Sequence, residues 1–216
     1  MRIGKFFDAL LSDPKEAKKY YIKARGDADD YALTESEFEE ATLKAEEVKR
    51  HEFWGVIPTK TKFQVPLEAA ILEDGTFVKV ADVGDREHVL VCGLIDRVDL
   101  MPTYALISDF KSTNAHAISS PSRWYYHSLE AGYHYQFAMY RELVALHYPE
   151  YTKENIPCAH ITAIIDEIPY AALFGMPSRV LDEALPDLVR AAWNIKNGWF
   201  PNDLLTWNDT QLCEPS

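Results

Sequence analysis

Gly93-Leu94-Ile95-Asp96-Arg97-Val98-Asp99, followed by Ser108-Asp109-Phe110-Lys111-Ser112-Thr113, decides the reading of this chain. Residues 89–98 and 104–111 are rich in Val, Ile and Leu, and Met101-Pro102-Thr103 lies between them. This predicts two strands joined by a short irregular loop. Side chains alternate faces at about 3.3 Å per residue, so Asp109 and Lys111 share a face roughly 7 Å apart, with Phe110 pointing the other way. By the same alternation Asp96 lies opposite Arg97 and Asp99, which can pair with each other. Adjacent strands would then unite Asp96, Asp109 and the Lys111 ammonium. Two carboxylates suit a hard divalent cation such as magnesium, which is commonly held by one or two acids plus substrate phosphate. Such an ion activates water and absorbs charge on a phosphate. Taken singly, Asp96 reads as a strand-end turn residue and Lys111 as a solvated strand terminus. The pair at this spacing points instead to a metal-dependent phosphodiesterase.

A helix start follows, with Ser119 or Ser120 as a capping hydroxyl and Pro121 where a missing N–H costs nothing. Its apolar stripe runs through Leu129, Tyr133, Phe137, Tyr140 and Val144. Gln136 lies at the edge of that stripe and shares a face with Tyr140. A buried amide without partners costs about 1–3 kcal/mol. Alone, Gln136 reads as a core amide bonded to backbone; beside two acids and a lysine, it reads as a donor that holds phosphate or Lys111.

Gly-Leu-Ile-Asp-Arg-Val-Asp, Ser-Asp-Phe-Lys-Ser-Thr and Tyr135-Gln136-Phe137-Ala138-Met139-Tyr140 together resemble the PD-(D/E)XK nucleases. They are most similar to the RecB-like and RecE-like branch (exodeoxyribonuclease VIII, phage recombination exonuclease). That branch carries G-x-(I/L)-D, then D-x-K-(S/T)-(S/T), then Q-x-x-x-Y. The blocks occur in family order and cover residues 89–142; each is weak alone, and the ordered set is more specific.

The resemblance implies that Asp96, Asp109 and the backbone carbonyl of Phe110 coordinate magnesium or manganese. It implies that Lys111 orients or activates the attacking water and steadies the phosphate. Gln136 and Tyr140 would line the cleft and position Lys111 or the nucleic-acid backbone, and the products would be a 5′-phosphate and a 3′-hydroxyl. Two positions depart from the pattern. Asp8 stands where family members often have a His, and Gln64 where they often have a Glu. Glu68, four residues on, is a candidate third metal ligand.

The chain has 216 residues, 47% hydrophobic and 12% aromatic. That predicts a single domain over 1–216, with a helical part at 1–55; the resemblance implies that 60–200 is a nuclease core. No run approaches the ~20 apolar residues of a membrane span. Met1-Arg2-Ile3-Gly4-Lys5 lacks the apolar stretch of a signal peptide, so no membrane association and a cytoplasmic setting in a bacterial or phage-infected cell are expected. Cys92, Cys158 and Cys213 are widely spaced with no Cys-x-x-Cys. This excludes a zinc ribbon, and no iron–sulfur cluster is expected.

The net charge of −12, from 34 acids against 22 Lys and Arg, opposes a DNA-binding role resting on charge. Candidate basic patches are modest: Lys15, Lys18, Lys19, Lys23 and Arg25; Lys44, Lys49 and Arg50; Lys60 and Lys62. Each reads more readily as a solvated helix face or loop than as a DNA track. Trp124, Tyr125 and Tyr126 offer base stacking or packing. Modest DNA affinity is expected, assisted by metal, homo-oligomerisation or a partner such as a single-strand annealing or binding protein.

Along the chain, helices are expected at 3–11 and 14–24, then a polar loop through 26–30. A helix follows over 34–49, with Thr34 and Glu37 as a capping box and 51–55 as its exit. Strands are expected at 62–73 and 76–81, then the two motif strands and one long helix to about 147. A strand at 159–165, another near Tyr170 and a helix from 178 to about 197, stopped by Gly198, complete the order. The tail from 202 reads as loop. The order predicts an α/β fold with a mixed central β-sheet flanked by helices, which the resemblance implies is a restriction-endonuclease-like core. The function expected is a metal-dependent DNA exonuclease acting from DNA ends in phage or prophage recombination or DNA processing. The alternatives are a structure-specific or restriction-type endonuclease on the same core, and a catalytically silent nuclease-fold protein that binds DNA or a partner.

Overall fold

Two long strands carry the architecture: β3 (Lys60–Leu72) and β5 (His88–Leu100) pair antiparallel from Lys60↔Leu100 to Leu72↔His88. The computed structural model describes residues 2–24, 29–55, 60–113, 120–164 and 170–199. Ahead of these strands stand α1 (Arg2–Ser12), α2 (Pro14–Ala17), β1 (Tyr21–Ile22), β2 (Ala32–Leu33) and α3 (Glu35–Arg50). β4 (Phe77–Val78) and β6 (Ala105–Ser112) flank the long pair. Then come α4 (Pro121–Glu130), α5 (Tyr133–His147), β7 (Cys158–Ile164), β8 (Tyr170–Met176) and α6 (Ser178–Lys196).

The six-stranded sheet has the order β4-β3-β5-β6-β7-β8. β6 and β7 are parallel, as α4 and α5 between them permit, since parallel neighbours need a long crossover connection. Each face of the sheet buries a separate core. On one face Val65, Ile95, Ile107 and Met176 pack with Phe137 and Leu143 of α5 and Leu181 of α6. On the other, Phe110 and Ile161 pack with Phe6 and Phe7 of α1 and Ala45 and Val48 of α3. The result is a mixed sheet flanked by helices, the expected fold class.

The capping box at α3 is present: Thr34 N donates to Glu37 Oε2 at 2.8 Å and Glu37 N to Thr34 Oγ1 at 3.2 Å. Three expectations need correction. The helix expected at 14–24 is the single turn of α2, capped by Asp13, whose Oδ1 accepts from Lys15 N and Glu16 N. Tyr20 turns into the core against Phe6, with ring centroids 4.9 Å apart, and Tyr21-Ile22 pairs with β2, as aromatic and β-branched residues favour. The strand expected at 76–81 is only Phe77–Val78, followed by a 3-10 turn over Val80–Asp82. The long helix to 147 is two helices. Gly132 sits left-handed at φ 76° between them, a conformation open to glycine at little cost, and it re-aims α5 across the sheet. Ser119, residues 25–28, residue 165 and the tail from 200 lie outside the described residues. Among the described residues no helix is long and apolar enough to cross a membrane.

Candidate active site

The site forms where β5 and β6 part. Their register runs from Leu100↔Ala105 to Arg97↔Ser108. From Asp109 onward β6 keeps only its pairing to β7, with Asp109↔His160 and Lys111↔Thr162. A side chain bridges the opening: Asp96 Oδ2 accepts the Phe110 N–H at 2.8 Å. Strict alternation breaks at the same place. Ile95 and Val98, three residues apart, both enter the core under α5. Across the ladder Gln64 takes φ +48°, a left-handed conformation uncommon for a non-glycine residue. Gln64 Nε2 donates to Asp96 Oδ1 at 3.3 Å and to Ser12 Oγ at 3.2 Å. Ser12 Oγ in turn donates to the Asp8 carbonyl at 2.7 Å.

Asp109 and Lys111 share the opposite wall of the opening. Asp109 is 3% exposed, and its Oδ2 meets Lys111 Nζ at 2.8 Å. Lys111 Nζ also lies 4.4 Å from the Tyr133 ring centroid. Gln136 Nε2 donates to Asp109 Oδ1 at 3.3 Å and to the Tyr140 hydroxyl at 2.9 Å. That hydroxyl donates to the Leu94 carbonyl at 2.9 Å. One turn of α5 thus ties both strands at their point of divergence. Phe110 sends its side chain into the other core, as the alternation of β6 requires.

Tyr140 reaches Leu94 by lying across Gly93. A Cβ at Gly93 would stand 2.6 Å from Tyr140 Cε1 and 3.2 Å from Leu143 Cδ1. Gly93→Ala should therefore displace Tyr140, cost about 1–3 kcal/mol of stability by overpacking, and loosen Gln136 and Asp109 with it. Denaturant unfolding of the purified variant checks this; stability equal to wild type would show that the close approach carries no constraint.

Burial, then the charge on Asp109, raises Asp96 to about 7, against the pull of the Phe110 N–H and the Lys111 charge. Burial would lower Lys111, but the Asp109 carboxylate outweighs it and holds the ammonium protonated above its ordinary range. Burial, then Asp109, raises Tyr140. A buried Asp96 carboxyl raised by its burial and by the carboxylate beside it is a standing demand for positive charge. Asp109 Oδ2 is buried, and the Lys111 ammonium at 2.8 Å is its charged partner. The donors, two carboxylates and the neighbouring Phe110 carbonyl, are all oxygen and fit a hard cation. Among the described residues no group of three or more His, Cys, Asp or Glu is arranged to hold a metal ion, so that cation would have two carboxylates from the described chain.

The structure brings Asp96, Asp109, Lys111, Gln136 and Tyr140 together, with Gln136 on Asp109 rather than on Lys111. It does not bring Glu68. That residue is exposed and pairs with Cys92 in the ladder, roughly 13 Å along the strand from Gln64 at 3.3 Å per residue. Gln64 is the side chain that meets Asp96. Arg97 and Asp99 pair with each other, Nε to Oδ2 at 2.8 Å, with the guanidinium stacked 4.3 Å from the Trp54 ring centroid. Lys44 is buried and paired with Glu40 at 2.6 Å, so it adds nothing to a basic surface. Trp124 is 2% exposed and packs in the core, whereas Tyr126 is 64% exposed. Local sequence pattern does not single out His160, which stands beside Asp109 and is 1% exposed. Its one signal is a histidine within the apolar run Cys158-Ala159-His160-Ile161-Thr162-Ala163. Burial, then the Lys111 charge, holds it well below the ordinary imidazole range, hence neutral.

No family model and no curated protein sequence matches the chain. Among solved structures, a protein from Eubacterium rectale described as "Putative exonuclease" superposes with a TM-score of 0.58 at 16% identity. The match covers 99% of this chain and 75% of that one. At that identity the likeness shows the fold alone: a mixed α/β sheet flanked by helices.

Proposed function

We propose that the chain is a metal-dependent DNA exonuclease of the RecB-like and RecE-like kind, hydrolysing phosphodiester bonds from DNA ends. The observation that carries this reading is the meeting of Asp96, Asp109 and a protonated Lys111 at the split between β5 and β6, with the nuclease-like fold around them. Asp96, Asp109 and the Phe110 carbonyl would hold magnesium or manganese, which supplies Lewis-acid stabilisation of phosphate and a more acidic bound water. Lys111 keeps its proton and would donate a hydrogen bond that orients the attacking water or steadies a phosphate oxygen. Gln136 fixes the Asp109 carboxylate, and Tyr140 fixes Gln136 against the Leu94 carbonyl. The reaction would leave a 5′-phosphate and a 3′-hydroxyl.

DNA is the substrate of this reading, in recombination or processing of phage or prophage DNA in the cytoplasm. The charge of −12 favours help from a single-strand annealing or binding protein, or from a second copy of the chain. A second reading, a silent nuclease-fold protein, draws on Gln64, whose amide occupies Asp96 Oδ1 where an acid would add a ligand. Linear duplex, single-stranded and covalently closed circular DNA incubated with Mg2+ decide between them. Linear DNA should fall to nucleotides while circles persist. Discrete fragments from circles indicate an endonuclease, and no cleavage of any substrate indicates the silent protein.

A further inference from the structure

His160 is fixed more tightly than packing alone requires. Its ring lies among Phe137, Tyr133 and Trp124, with centroids at 4.6, 5.1 and 5.3 Å. Trp124 Nε1 donates to His160 Nδ1 at 3.3 Å. An indole N–H can only donate, so Nδ1 is the acceptor, and the proton of the neutral ring sits on Nε2. Nε2 is buried without a hydrogen-bond partner. The nearest carboxylate oxygen recorded for it is Asp109 Oδ2, 4.0 Å away. That oxygen is already paired with Lys111 Nζ at 2.8 Å.

We propose that His160 is a positioning residue for Asp109, its Nε2–H directed at Oδ2 by the Trp124 hydrogen bond so that the carboxylate keeps one orientation. The inference rests on the nuclease reading for its purpose. When Lys111 turns to a phosphate or water, Oδ2 loses its ammonium neighbour and the Nε2–H is the donor left beside it. A distance of 4.0 Å is too long for a hydrogen bond. Catalytic hydrogen bonds are often long in the free protein and tighten in the complex.

The inference is tested by nitrogen-edited imidazole spectra of the full chain and by Mn2+ titration. Wild type should show His160 in the Nε2–H tautomer at neutral pH, and Asp109→Ala should shift its Nε2 resonance. His160→Leu should weaken Mn2+ binding ~10–100-fold, the usual loss for an outer-shell partner. His160→Gln, whose amide can still donate, should stay within a few-fold of wild type even where both variants lose equal thermal stability. An Nδ1–H tautomer, an unmoved resonance in Asp109→Ala, or equal Mn2+ affinity in His160→Leu and wild type each overturns the inference. Wild type that binds no Mn2+ overturns the nuclease reading instead, and the tautomer with the Asp109→Ala shift still decides the His160 orientation.

Discussion

Lys111→Ala should lower DNA cleavage by ~10²–10³-fold, the usual loss when one electrostatic stabiliser is removed, while leaving divalent-cation binding nearly intact. The ammonium is 2.8 Å from Asp109 Oδ2 and is held protonated by that carboxylate, so it has no lone pair for a cation. Its role is confined to the water and the phosphate. Lys111→Arg should also be poor, because a planar fork replaces a compact charge in the space bounded by Tyr133 and Asp109. Asp109→Ala differs in kind: it should lose both the cation and the activity. Titration calorimetry with Mn2+ beside single-turnover cleavage separates the two. Near wild-type cleavage by Lys111→Ala would remove Lys111 from the chemistry and point to a differently catalysed reaction.

Asp96→Asn should make the cation-free protein more stable than wild type above neutral pH, by an amount on the order of a few kcal/mol at 1.36 kcal/mol per pKa unit. The sign follows from linkage. Asp96 keeps its proton in the folded state up to about 7, against an ordinary carboxyl value of 3.8. Between those values the folded state binds more protons than the unfolded one, so wild-type stability falls as pH rises. An asparagine is neutral throughout and does not share that loss. Its amide oxygen can still accept the Phe110 N–H that Asp96 Oδ2 accepts at 2.8 Å. Urea unfolding in EDTA at acid and alkaline pH measures the effect. The two proteins should be close below the unfolded carboxyl pKa and diverge as pH rises to about 7; parallel curves would show that burial and the neighbouring Asp109 do not raise Asp96.

The hairpin and its Asp109–Lys111 face were legible because period-two alternation holds along β6, and Gln136 and Tyr140 because they fall one helical turn apart. The break at Gly132 was not, since the apolar spacing of Leu129 and Tyr133 runs across it without interruption. Nor was the slip at Asp96. Alternation reasoning assumes an unbroken pleat, and the pleat yields where Gln64 turns to φ +48° and a carboxylate replaces a ladder partner. The same slip removes the basis for placing Glu68 at the site. His160 needed the parallel register of β6 and β7, a long-range pairing that local pattern does not contain. Trp124 was ambiguous between stacking and packing because a helix start gives no face until the sheet beneath it is known.

The central claim, that Asp96 and Asp109 make this a metal-dependent nuclease, is tested most directly by one cleavage time course on end-labelled linear DNA. The reaction is run with Mg2+, with excess EDTA, and with Mg2+ restored. Cleavage should stop in EDTA and resume on restoration, and Asp109→Ala should be inactive in all three conditions. Cleavage that continues unchanged in EDTA would contradict the account.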